Sequence, residues 1–109
     1  MAKRIFGQIG RLKRECIAEY ETLHAAAWPG VLQTIHDCHM HNYSIFIEDD
    51  VVFGYFEYDG DDYEADMAKM AADPVTQAWW SKTRPCFTKY SPDKKDPFYS
   101  DMKQIFYFE

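Results

Sequence analysis

Polar and apolar positions change period several times along the chain, and each change marks an element. Residues Arg4 to Ile9 set Ile5, Phe6 and Ile9 around Gly7 and Gln8, a strand pattern. From about Lys13 to Ala27 the spacing lengthens. Ile17, Tyr20, His24 and Trp28 recur three or four apart, with Leu23 and Ala27 beside them, so they share one face of a helix. Trp28-Pro29-Gly30 ends that helix, and Pro in a first turn opens a second one, Gly30 to about Cys38. Asn42 to Ile47 and Val51 to Tyr58 are rich in aromatic and β-branched residues and flank the acidic turn Glu48-Asp49-Asp50, a hairpin signal. Asp59-Gly60-Asp61-Asp62 stops the second strand. Tyr63 to Ala72 holds strong helix formers, and Asp73-Pro74 restarts a helix that carries Trp79-Trp80. The stretch Pro85 to Tyr99, with Pro85, Pro92 and Pro97, reads as a loop, and Gln104 to Phe108 as a closing strand.

The order βα(α)ββα(α)β folds most simply as a ferredoxin-like α+β sandwich, an antiparallel sheet with helices on one face. No repeat, low-complexity run or linker divides it, so residues 1–109 form a single domain. Such a sheet leaves one face bare. Tyr43, Phe46, Phe53, Tyr55, Phe56, Phe106 and Phe108 cannot all lie under helices, because strand side chains alternate between faces. Two sheets packed face to face would bury them, which predicts a homodimer.

A content of 47% hydrophobic and 17% aromatic residues supports a packed core and rules out a disordered chain. The net charge of -6, with Lys and Arg scattered rather than clustered, argues against nucleic acid and anionic membrane surfaces as partners. No signal-peptide-length apolar stretch opens the sequence and no segment approaches the length of a membrane span, so a cytoplasmic location is expected. The three cysteines, Cys16, Cys38 and Cys86, are odd in number and widely spaced, the pattern of reduced, mostly buried thiols.

Candidate chemistry begins with Trp79-Trp80. Neighbours on a helix diverge by about 100°, so both indoles cannot enter one small core; one of them should face a cleft. A Trp plate with a polar edge suits a sugar, although core and helix-edge packing explains two indoles equally well. His24 stands one turn from both Tyr20 and Trp28 and could exchange protons near neutrality, unless it is a satisfied histidine at a helix–sheet boundary. His36, Cys38, His39 and His41 include metal-ligand types, but they straddle a helix end and a strand start and would diverge; a turn explains them. The acidic sets at 48–50 and 59–62 lack calcium-loop spacing and read as turns and caps. No phosphate-binding glycine loop is present.

Taken together, Tyr20-x-x-x-His24, Trp28-Pro29, His41-Asn42-Tyr43-Ser44-Ile45, Trp79-Trp80 and the terminal Ile105-Phe106-Tyr107 make the sequence resemble the L-rhamnose mutarotase family over almost its whole length. The resemblance implies a dimeric ferredoxin-like α/β barrel and an isomerase that interconverts the α and β anomers of a 6-deoxyhexose without metal or cofactor. It implies His24 as the catalytic acid, and Tyr20, Tyr43, Trp79 and Trp80 as the residues that contact the sugar. Ala25 after His24, and Gly30 after Trp28-Pro29, stand where rhamnose-acting members carry Asn and Glu. With the segment Phe56 to Met67, which looks like a different branch, they tilt the expected sugar slightly to L-fucose, with L-rhamnose a close second. The alternative is a non-catalytic sugar-binding or regulatory module on the same fold, with His24 inert. A haem- or quinol-using monooxygenase of similar architecture, and a zinc protein built on His36 to His41, are further rivals.

Overall fold

The computed structural model describes residues 3–95 and 97–109. Its elements are β1 (Arg4–Leu12), α1 (Ile17–Ala25), α2 (Pro29–Asp37), β2 (Met40–Glu48), β3 (Val51–Tyr58), α3 (Tyr63–Ala72), α4 (Pro74–Thr83), β4 (Phe87–Thr88) and β5 (Ser100–Asp101), with 3-10 turns at Arg14–Cys16 and Arg84–Cys86. One sheet has the order β2-β3-β1-β4, and β5 also pairs with β1. All pairings are antiparallel. The fold is therefore mixed α+β, four helices on one antiparallel sheet, with β1 central as a βαββαβ chain requires.

Local chemistry sets the boundaries. Asp73 closes α3 and caps α4, where its carboxylate accepts from the Thr76 amide at 2.8 Å and the Thr76 hydroxyl at 2.9 Å, with Pro74 behind it. Asp62 caps α3 in the same way through the Ala65 amide. The β2–β3 turn is held by charge: Arg11 reaches Asp50 at 2.7 Å and Arg14 reaches Asp49, whose φ is 58°. The first strand runs to Leu12, three residues past its predicted end, because β3 continues to pair with it as far as Arg11. The first helix is shorter than predicted, since a 3-10 turn takes residues 14–16.

The closing strand expected at Gln104 to Phe108 does not form. Residues 102–109 are irregular, with Ile105 87% and Phe108 85% exposed. The free edge of β1 is already divided between β4, opposite Arg11 and Leu12, and β5, opposite Gln8 and Ile9. Alternating apolar residues specify a strand only where an edge is open to pair with.

Two buried clusters sit between sheet and helices. One joins Leu12, Tyr20, Val52, Cys86 and Phe87; the other joins Cys38, Met40, Phe56, Tyr58 and Met70. Gly10 lets the first cluster close, because a Cβ there would lie 2.9 Å from the Phe87 ring. The clusters do not merge, and the space between them is the cleft.

Candidate active site

A cleft of about 650 Å³ opens between the helices and the sheet, and its wall includes His24, Tyr20, Tyr43, Trp79 and Trp80. Each arrives by a different local device. Tyr20 and His24 are one turn apart on α1, so their rings overlap at 4.3 Å. The Trp pair rides on α4, and its members divide as helix geometry demands. Trp79 is 6% exposed and meets the edges of His24 and Trp28, each at 5.2 Å. Trp80 is half-buried and carries the Arg84 guanidinium 4.0 Å above its ring. Both indoles nevertheless reach the cleft wall, one deep and one near the rim.

Tyr43 gets there through a bulge. The register between β2 and β3 slips between His41 and Ser44, and Asn42 at the slip has φ 49°, a left-handed backbone that Asn tolerates. Its side chain donates to Glu57 at 3.0 Å, which pins the kink. Met40 pairs with Tyr58 and Ile45 with Gly54, positions on the helix-covered face of β3. An odd and an even residue of one strand share a face only if an extra residue intervenes. The bulge supplies it and brings Tyr43 to Phe56, ring centroids 5.3 Å apart.

The polar groups of the cleft are fixed before any ligand arrives. Nδ1 of His24 lies 2.9 Å from the Tyr20 carbonyl oxygen, which can only accept, so Nδ1 carries a proton and Nε2 remains for a ligand. The hydroxyls of Tyr20 and Tyr99 share a hydrogen bond of 3.1 Å. Burial raises the pKa of both phenols, and also that of Tyr43, whose ring is partly exposed at the cleft edge. All three are therefore neutral near pH 7, able to hold a hydroxyl but unable to act as phenolate bases. The arrangement can stack a sugar ring on aromatic plates, hold its hydroxyls and exchange one proton through an imidazole.

All five residues singled out in the sequence meet in this one cleft. Trp28, grouped with the α1 face, instead precedes Pro29 at the start of α2 and buttresses Trp79 from behind. Of the His36 to His41 run only the His36 and His41 rings meet, edge-on at 6.3 Å; His41 also binds Asp59 at 2.9 Å, His39 sits in a left-handed turn, and among the described residues no three of these side chains form a metal-capable group. Sequence reasoning missed Tyr99 and Arg84. Tyr99 lies in the proline-rich loop, where no periodicity applies. For Arg84 a signal existed, the four-residue step from Trp80 that stacks a cation on an indole.

Comparison with known proteins fits this geometry. A sequence profile described as L-rhamnose mutarotase matches residues 5–108. The chain belongs to the L-rhamnose mutarotase family. Members of that family are isomerases acting on carbohydrate anomers. The L-rhamnose mutarotase of Oceanobacillus iheyensis is 31% identical over 93 residues, covering 84% of this chain and 85% of its own. That of Opitutus terrae is 34% identical over 94 residues, covering 79% and 88%. Among solved structures, the L-rhamnose mutarotase of Formosa agariphila superposes with a TM-score of 0.74 at 20% identity, over 97% of this chain and 99% of that one, a likeness of fold. No helix among the described residues is long and apolar enough to cross a membrane.

Proposed function

We propose that this chain is an aldose mutarotase that interconverts the α and β anomers of a 6-deoxyhexose, with L-rhamnose ahead of L-fucose. The observation that carries the reading is the fixed imidazole. With Nδ1 committed to the Tyr20 carbonyl, Nε2 of His24 is the proton-exchanging atom in a cleft walled by Trp79, Trp80 and Tyr43. Opening a pyranose breaks the bond between C1 and the ring oxygen; the anomeric hydroxyl loses a proton and the ring oxygen gains one. The His24 imidazolium gives its Nε2 proton to the ring oxygen, while a water held by a neutral tyrosine hydroxyl takes the anomeric proton. The aldehyde turns about C1–C2 and recloses by the reverse path. Trp79 and Trp80 pack the apolar face of the sugar and its C6 methyl.

The order of the two sugars rests on the relatives. The tilt to L-fucose rests on Ala25, Gly30 and the segment Phe56 to Met67; Ala25 ends α1 in solvent and Gly30 faces Val75, where a Cβ would come within 2.9 Å of that side chain, whereas Phe56, Tyr63 and Met67 line the cleft. The curated relatives named above are both L-rhamnose mutarotases. We further propose that the active form is a homodimer. Phe46, on the sheet face away from the helices, is 61% exposed, and the apolar tail at 105–108 has no partner strand among the described residues; a second copy covering both would complete a dimeric α/β barrel.

Saturation-transfer proton NMR on equilibrated L-rhamnose and, separately, L-fucose tests the activity. Catalytic amounts of protein should pass saturation from one anomeric proton to the other, faster for L-rhamnose. Folded protein that leaves both sugars at the buffer rate would overturn the mutarotase reading in favour of a binding module.

A further inference from the structure

Away from the cleft, the described residues bring together one other group of metal-capable side chains. Cys16, in the 3-10 turn before α1, Glu19, in the first turn of α1, and Cys86, in the turn before β4, place one sulfur or carboxylate oxygen each within 4.8 Å of the others. We propose that these three residues form a binding site for a thiophilic divalent cation, Zn²⁺ foremost, that ties the start of α1 to the start of β4.

The geometry is near what zinc needs. With Zn–S of about 2.3 Å and Zn–O of about 2.0 Å, the edges of a tetrahedron are about 3.8 Å between sulfurs and about 3.5 Å between sulfur and oxygen. The sulfurs need draw together by no more than about 1 Å and the carboxylate oxygen toward them by no more than about 1.3 Å, and Glu19 is an exposed side chain free to do so. Two thiolates and one carboxylate form a soft, anionic set that prefers Zn²⁺ or Cd²⁺ to Mg²⁺ or Ca²⁺. The burial gradient supplies an entry: Cys86 is buried, Cys16 half-buried and Glu19 exposed, leaving a fourth position open to water. Burial and the adjoining Cys16 push the Cys86 thiol up to about 11.

The placement matters for the enzyme. Cys16 lies one turn before Tyr20, and Phe87, next to Cys86, meets the Tyr20 ring edge-on at 5.5 Å. A cation here would clamp the back of the wall that holds Tyr20 and His24, while touching no sugar.

Cobalt reads out the ligands directly. Full-length protein kept reduced with a phosphine should bind one Co²⁺ per chain with a thiolate charge-transfer band and the strong visible bands of tetrahedral cobalt, bleached by one equivalent of Zn²⁺. The thiolate band should fall in Cys16→Ser. Glu19→Gln should keep the band but bind about tenfold or more weakly, and Cys38→Ala, the thiol outside the group, should behave as the parent. Zn²⁺ at a hundredfold excess over its Kd should raise the melting temperature by about 10 °C. Folded protein that shows no thiolate band, or a band unchanged in Cys16→Ser, would sink the proposal.

Discussion

On one face of the sheet Phe6, Val52, Phe56 and Tyr58 lie under the helices; β1, β2 and β3 turn Ile5, Ile9, Phe46 and Phe53 to the other face, where Ile5, Ile9 and Phe53 are half-buried and Phe46 is exposed. Both faces carry apolar side chains and both hold fixed polar groups, the first the His24 imidazole on its carbonyl and the Tyr20–Tyr99 hydroxyl pair, the other the Glu57 carboxylate that accepts from Tyr55 and Asn42, but only the first lies against helices. An apolar surface by itself asks only to be covered. It becomes a site where neighbouring helices leave a gap between two cores and hold hydrogen-bonding groups at its margin. The covered face should therefore respond to substitution through chemistry and stability, and the open face through association.

The largest effect should come from His24→Gln, which keeps the bulk of the ring while removing proton transfer. Anomer exchange should fall by about 10²- to 10⁴-fold with the melting temperature nearly unchanged, measured by saturation transfer. Next, Trp79→Ala should cost about 3–5 kcal/mol of folding stability in urea titration, because it empties the junction of α1, α2 and α4. Trp80→Ala, nearer the rim, should cost less stability and chiefly weaken sugar binding. On the open face, Phe46→Asp should leave the protomer folded and weaken the proposed dimer at least tenfold, about 1.4 kcal/mol, by sedimentation equilibrium.

The smallest effect belongs to the tyrosine pair. Tyr99→Phe should cost about 1 kcal/mol by removing one partner of the hydroxyl bond. It also has a pH signature. The folded phenols titrate above the ordinary value of about 10, so above that pH the unfolded chain gives up protons that the folded chain keeps. Stability should be held in full below about pH 10 and fall as the pH climbs toward the folded values, and Tyr99→Phe should flatten that slope.

Much of this was legible in the sequence because it depends on near neighbours. The limits of β3 and α3 follow from Asp50, Asp59 and Asp62, residues that stop or cap by their own side chains. The Tyr20–His24 pairing is a one-turn step, and the split between Trp79 and Trp80 is helix arithmetic. What escaped depends on residues far apart. The tail pattern at 104–108 reads as a strand, but whether it pairs is decided by β4 and β5 on the edge of β1. Tyr99 reaches Tyr20 across 79 positions, and nothing near Tyr99 announces it. The Asn42 bulge lies between: the asparagine is visible, but its slip exists only against β3.

That bulge also protects the molecule from its own copies. The outer strand β2 presents a row of unpaired amides and carbonyls, the kind of border on which a foreign strand can zip up and start a fibril. Left-handed backbone at His39 and Asn42 bends the first third of that border out of line, so no straight strand can follow all nine residues. The kink that turns one tyrosine into the cleft thus doubles as a guard against aggregation, and straightening it would cost the cell soluble protein as well as the shape of the cleft wall.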